Sequence, residues 1–169
     1  RAAVSYYYSE VKNKTLRGNV GTNTAPLEDF ANITPALEIK IKEPFKALGV
    51  GFLNVPYFSV FGEYVENAMK SKKESGFMTG FKLGAEKIEN WGDWQFKYNF
   101  GRLERDAIPD ILPDSDRYEG QTAIKSHEIA LDYGLGKNTW LSLDCYRSQR
   151  LSSPKSPETV VQVDWNMRF

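Results

Sequence analysis

The sequence predicts an all-β fold, an antiparallel transmembrane β-barrel, and three observations carry that expectation. Apolar residues recur at every second position through most of the chain, which is the period of a strand rather than of a helix. About eight such stretches follow one another, most of them near the roughly 9 to 11 residues with which a tilted strand crosses a bilayer. The connections between them tend to alternate between long and short.

Taken in order, the strands are expected near residues 2 to 10, 35 to 43, 57 to 67, 77 to 88, 93 to 104, 124 to 135, 138 to 149 and 158 to 169. The first is "AVSYYYS". In the second, "ALEIKIK", Leu37, Ile39 and Ile41 oppose Glu38, Lys40 and Lys42. "FSVFGEYVE" is the third, and its two faces are less cleanly separated. "FMTGFKLGAEK" sets Phe77, Thr79, Phe81, Leu83 and Ala85 against Gly80, Lys82, Gly84 and Glu86. Across the turn "ENWGD", the stretch "WQFKYNF" aligns Trp94, Phe96, Tyr98 and Phe100 against Gln95, Lys97 and Asn99, which completes a hairpin. "EIALDYGL" and "TWLSLDCYRS", joined by "GKN", form a second hairpin. There Glu128, Asp132, Ser142 and Asp144 share one face, and Ile129, Leu131, Leu141, Leu143 and Cys145 the other. The terminal "ETVVQVDWNMRF" opposes Val161, Val163, Trp165, Met167 and Phe169 to Gln162, Asp164, Asn166 and Arg168. Connections at 11 to 34 and 104 to 124 are long, those at 67 to 76 and 149 to 158 intermediate, and those at 89 to 92 and 136 to 137 tight. The apolar 44 to 56, "PFKALGVGFLNVP", is a longer exception on the short-turn rim.

Composition narrows the classes. The 169 residues suit one domain, 1 to 169, or the C-terminal part of one. The balance of 22 basic and 22 acidic residues gives no electrostatic footprint for a nucleic acid. No apolar run approaches the roughly 20 residues of a spanning helix. A single cysteine, Cys145, forms no internal disulfide, and a single histidine, His127, builds no multi-histidine metal site. The chain opens without Met or a signal-like segment and starts inside a strand, so it reads as a mature or truncated chain.

Alternation alone leaves two insides available: a soluble lipocalin-like barrel or sandwich with an apolar core, or a membrane barrel with the apolar face outward. Consecutive Trp94, Phe96, Tyr98 and Phe100 would crowd a small interior, whereas lipid accommodates any shape. The opposite face mixes glycine with Lys, Glu, Asp and Gln, as a polar lumen does. Aromatics also gather near strand ends, as in "YYY", Trp91, Trp140 and the closing Trp165 and Phe169, where interface girdles lie.

The stretch from "WQFKYNFGRLERDAIPDILPDSDRYEG" through "LDYGLGKNTWLSLDCYRS" and the terminal strand resembles the C-terminal part of a family of bacterial outer-membrane porins, and "VFGEYVEN" echoes it. The residues that carry the resemblance include Leu103, Asp106, Ala107, Asp110, Pro113, Asp114, Ser115, Asp116, Gly120 and Thr122, within roughly 58 to 169. It implies a Gram-negative outer-membrane channel that passes small hydrophilic solutes or ions, without enzymatic activity or cofactor. It also implies contact with outer-membrane lipid and recognition by the outer-membrane assembly machinery through Trp165 and Phe169. A homo-oligomer is compatible with it. Members of such families are usually longer, so the chain is expected to be the last eight strands of a larger barrel. An eight-strand closed barrel shares the same local pattern.

Strand number decides the mechanism, because about eight strands enclose only side chains and about 16 to 18 leave an aqueous channel. The expected pore-lining residues are Glu38, Lys40, Lys42, Lys82, Glu86, Gln95, Lys97, Asn99, Glu128, Asp132, Ser142, Asp144, Gln162, Asp164, Asn166 and Arg168. Basic residues concentrate on the earlier strands and acidic ones on the later, which allows a transverse field across water. The competing reading is that these charges pair across strands and fill a closed interior. In "RDAIPDILPDSDRYEG", the carboxylates of Asp106, Asp110, Asp114 and Asp116 could take calcium, but their spacing is not that of the helical calcium loop. The other readings are a solvated loop stiffened by Pro109 and Pro113, and a constriction folded into the lumen.

Two further classes stay open. A filled or anchoring barrel would hold a periplasmic or electron-transfer partner, with 44 to 56 as a docking or plugging segment. A rim-active outer-membrane hydrolase would need His127 as base. Ser126 and Glu128 lie on the opposite strand face from it, and no G-x-S-x-G motif is present.

Overall fold

A computed structural model of the chain describes residues 1–10, 23, 29–47, 49, 55–69, 74–152 and 156–168. Eight strands follow the alternation: β1 (Ala2–Ser9), β2 (Phe30–Lys42), β3 (Tyr57–Asn67), β4 (Ser75–Gly84), β5 (Trp94–Leu103), β6 (Ile124–Gly136), β7 (Thr139–Arg150) and β8 (Glu158–Met167). One helical turn, α1 (Pro44–Ala47), follows β2, and a short 3-10 turn, Tyr118–Gly120, precedes β6. The strands form one antiparallel sheet in sequence order. Among the described residues, β1 and β8 are each paired on one side only, so the sheet is not closed on itself.

Two strand boundaries differ from those expected by more than two residues. β2 begins at Phe30 rather than 35, because the five residues before the proline pair with β1 from Ser9 to Ser5. The β2–β3 ladder lacks the two pairs at Thr34 and Pro35 and resumes in the same register at Ala36, as a residue without an N–H requires. β4 ends at Gly84 rather than 88: Gly84 turns to φ +107, and a Cβ there would meet the Trp94 ring at 2.9 Å. The β4–β5 connection therefore spans 85–93 and is not the tight 89–92 turn. It docks on the next hairpin, with Gly92 N–H donating to the Gly134 carbonyl at 3.0 Å and Gly134 N–H to the Asp93 carbonyl at 2.7 Å. The β6–β7 turn is tight as expected, with Asn138 at φ 53.

Burial inverts the usual rule that apolar side chains lie inside. On one face Val161, Val163 and Trp165 are 61 to 69 % exposed, alongside exposed Leu37, Ile39, Ile129 and Leu141. On the other, Ser126 is 2 % and Glu128 4 % exposed, with Ser59, Asn99, Ser142 and Ser148 also buried. Polar side chains thus predominate on the sheltered face, with an apolar patch of Val65, Met78, Leu103 and Ile124 at its loop-bearing end, and apolar ones cover the outer face. Rings tile the outer surface across strands, as in Phe77 with Phe100 at 5.8 Å and Phe81 with Tyr98 at 5.8 Å.

Candidate functional site

The register places the expected polar residues in rows on the sheltered face. Lys40 stands opposite Ser59, and Ser59 opposite Lys82, which is opposite Lys97. Gln95 faces Asp132, Asn99 faces Glu128, and Asp132 faces Ser142. Asp144 then faces Gln162, Ser142 faces Asp164, and Asn166 lies opposite Trp140. Lys42 ends β2, exposed at the rim.

Two expected lining residues lie outside the strands. Glu86 follows the break at Gly84 and sits in the β4–β5 connection. It still reaches the sheltered face through Lys40, whose ammonium donates to its carboxylate at 2.9 Å. That contact holds the Glu86 carboxyl below the usual carboxylate range. Arg168 follows the end of β8. Its N–H donates to the Asn138 carbonyl at 2.9 Å and its guanidinium lies 5.5 Å from the Trp140 ring, so it belongs to the short-turn rim. Trp165 is exposed on the outer face. Phe169 lies outside the described residues, as do most of 12–30 and the middle of 44–56.

The connection 104–123 folds across the sheltered face and is held there by side chains the sequence reading did not single out. Asn67, fully buried, donates to the Asp106 carbonyl at 3.0 Å while its Oδ1 accepts from the N–H groups of Ala31 and Met69, each at 3.2 Å. Asn32 donates to the Ala107 carbonyl. Asn23 donates to the carbonyls of Arg105 at 2.6 Å and Ile108 at 3.0 Å, and Thr122 to that of Arg105 at 2.8 Å. A buried loop must satisfy its backbone groups in this way. Asparagine serves because it is short, carries donor and acceptor together, and loses little freedom when buried.

From the far end of this connection Arg117 reaches down to the sheet. Its guanidinium donates to Asn99 Oδ1 at 2.8 Å and to Glu128. It also lies 3.6 Å from Asp114 and 5.8 Å from the Tyr146 ring. Glu128 in turn accepts from Asn99 at 2.8 Å and pairs with Lys97. The result is a compact cluster of two cations, two carboxylates and an amide across β5, β6 and the loop. Gly101 on β5 leaves it room, since a Cβ there would lie 3.5 Å from an Arg117 nitrogen.

The four loop aspartates do not converge. Asp110 accepts from the Asn23 N–H at 3.4 Å, and Asp114 from the Asp116 N–H at 3.0 Å. Asp106 is buried beside Asn67, with its backbone carbonyl accepting. Among the described residues no three His, Cys, Asp or Glu side chains are placed to hold a metal ion. Between the loop and the sheet lies a cavity of about 540 Å³, lined in part by Val65, Met78, Leu103, Ile108, Leu112 and Arg117. His127 faces outward, 2.9 Å from the Tyr98 hydroxyl, away from Ser126, which accepts from Ser148 at 2.7 Å.

Residues 19–169 match the family model described as "Putative porin". The chain belongs to this porin family. The match extends well upstream of the resemblance read at roughly 58 to 169, into the long first connection and β2. No curated protein and no solved structure matches the chain significantly.

Proposed function

We propose that the chain forms part of the wall and constriction of a water-filled outer-membrane channel for passive diffusion of small hydrophilic solutes or ions. The observation that carries this reading is the inverted burial. A sheet whose outer face is apolar and whose sheltered face is polar suits lipid outside and water within. Family membership supports a porin-like role and an outer-membrane location. The half-paired edges of β1 and β8 favour a barrel with further strands over an eight-strand one, because unpaired backbone groups are not tolerated in lipid.

In this reading the 104–123 connection narrows the passage, and the cluster of Arg117, Glu128, Lys97 and Asn99 stands where solutes are sorted. The charges counter one another nearby: Lys97 and Arg117 meet Glu128 and Asp114, and Lys40 meets Glu86 and Glu38. Past them Asp132, Asp144 and Asp164 on β6, β7 and β8 are offset by Lys82 on β4 and the rim cations Lys42 and Arg168, so the second carboxylate at Lys40 leaves a small net negative charge. The passage is therefore expected to favour cations modestly. Planar-bilayer recording of the purified protein tests the proposal. Discrete ohmic openings support a channel, and silence from folded, inserted protein points instead to a filled or partner-holding barrel.

A further inference from the structure

The outer face carries almost no charge until the loop-bearing end of the sheet. There Glu66 stands on β3, and Arg102, Lys125 and Arg147 stand on three consecutive strands, β5, β6 and β7. Phe77 stands directly opposite Arg102 in the same row, and one outward step nearer the middle Phe100 follows Arg102 and Ile129 follows His127, so the basic residues mark the edge of the apolar belt. We propose that Arg102, Lys125 and Arg147 form a docking site for the phosphate groups of an anionic membrane lipid. This rests on the reading that the outer face lies in a bilayer.

The geometry is that of a cradle for negative charge. Arg102 stands directly opposite Lys125, and Arg147 directly opposite His127, the next outward residue after Lys125. Opposed residues are about 5 Å apart at Cβ and diagonal ones about 7 to 8 Å, so the three cations share one small patch. Like charges so placed repel unless an anion lies between them. Arg102 is partly answered by Glu104 at 3.3 Å. Neither Lys125 nor Arg147 makes an ion pair or side-chain hydrogen bond with another described residue. His127 is occupied by the Tyr98 hydroxyl and the Phe100 ring at 4.9 Å. Long basic side chains at the border of an apolar belt extend toward the headgroups, and a lipid phosphate at that depth is the anion that complements them.

The experiment is native mass spectrometry of the full chain released from nanodiscs of mixed phosphatidylglycerol and phosphatidylcholine. The unaltered protein is expected to retain phosphatidylglycerol preferentially. Lys125→Gln and Arg147→Gln should each reduce that retention about fivefold, the effect of one basic residue at a membrane surface. Lys125→Arg and Arg147→Lys, which keep the charge and guard against a folding artefact, should preserve it, as should Lys40→Gln and Lys82→Gln on the sheltered face. Equal retention of both lipids by unaltered protein overturns the proposal. So does an equal loss in the sheltered-face variants, or displacement of the lipid by millimolar inorganic phosphate. If the chain does not float with lipid vesicles at all, the membrane reading falls too; flotation without lipid preference removes this inference alone.

Discussion

Replacing Arg117 with alanine separates a working constriction from a merely packed loop. The guanidinium makes charged hydrogen bonds to Glu128 and Asn99 and a looser contact with half-exposed Asp114. Bonds of that kind are worth about 1.5 to 3 kcal/mol each. The loss should stay near the lower part of the roughly 3 to 5 kcal/mol seen when a buried pair is broken, because Glu128 keeps Lys97 and Asn99. The protein should therefore still fold, with its denaturation midpoint lowered. The electrical effect is larger in kind. Lys97 and Arg117 balance Glu128 and Asp114, so removing one cation leaves the cluster at one net negative charge. A unit charge about 7 Å from a permeating ion in water is worth about 0.6 kcal/mol, or close to a threefold change in its local concentration. Reversal potentials in a KCl gradient near 0.1 M should shift toward cations accordingly, and the shift should shrink at 1 M, where screening is short-ranged. Single-channel conductance should rise. A folded Arg117→Ala protein with unchanged conductance and unchanged selectivity would refute the placement of this cluster in the passage.

Other perturbations probe what holds the loop and sheet. Asn67→Ala removes the amide that meets Asp106, Ala31 and Met69, and should cost about 1 to 3 kcal/mol by leaving buried backbone groups unpaired; faster proteolysis within 104–123 than in the unaltered protein is the readout. Gly80→Val puts a Cβ within 2.7 Å of Asn99 and 2.8 Å of the Phe61 ring, an overpacking of about 1 to 3 kcal/mol that chemical denaturation should detect, whereas Gly136→Ala, where a Cβ meets nothing within 4 Å, should be mild. The Asp93 carboxylate accepts from the N–H groups of Glu89 at 3.0 Å and Asn90 at 2.8 Å, which holds its carboxyl below its ordinary value of 3.8. A depressed carboxyl stabilises the folded turn above that value and loses the effect as pH falls through the lower folded-state value. The protection of the Glu89 and Asn90 amides against exchange, relative to their intrinsic rates, should fall in that acid range, and in Asp93→Ala it should be low at every pH.

Much of this architecture is legible in the sequence because a strand's period of two is robust, and a single misplaced residue would send every side chain to the wrong face. The rows containing Lys82, Lys97, Glu128, Asp144 and Gln162 follow from parity alone. Parity fails where the backbone changes conformation without changing composition. "LGAEK" continues to alternate past Gly84, yet the turn at that glycine takes Glu86 out of the strand. "FANIT" falls within the expected 11 to 34 connection, and only pairing with β1 makes it strand. The loop contacts are the least legible part. Asn32, Asn67 and Arg117 gain their roles from partners up to 75 residues away, and no local pattern records such a pairing. The one available hint was an arginine set among the aspartates of "PDSDRYEG".

The anchoring of the 104–123 connection bears on the order in which the molecule assembles. Its ties run to Asn32 on β2 and Asn67 on β3 at one side, and to Glu128 on β6 at the other. Adjacent hairpins can zip early, since each needs only a short chain closure. The loop finds both sets of partners only after the sheet has curled enough to bring β2 and β6 toward each other. It therefore acts as a late fastener: a chain with its hairpins formed but its loop undocked would be a discrete intermediate. Arg117→Ala and Asn67→Ala would then speed unfolding far more than they slow folding.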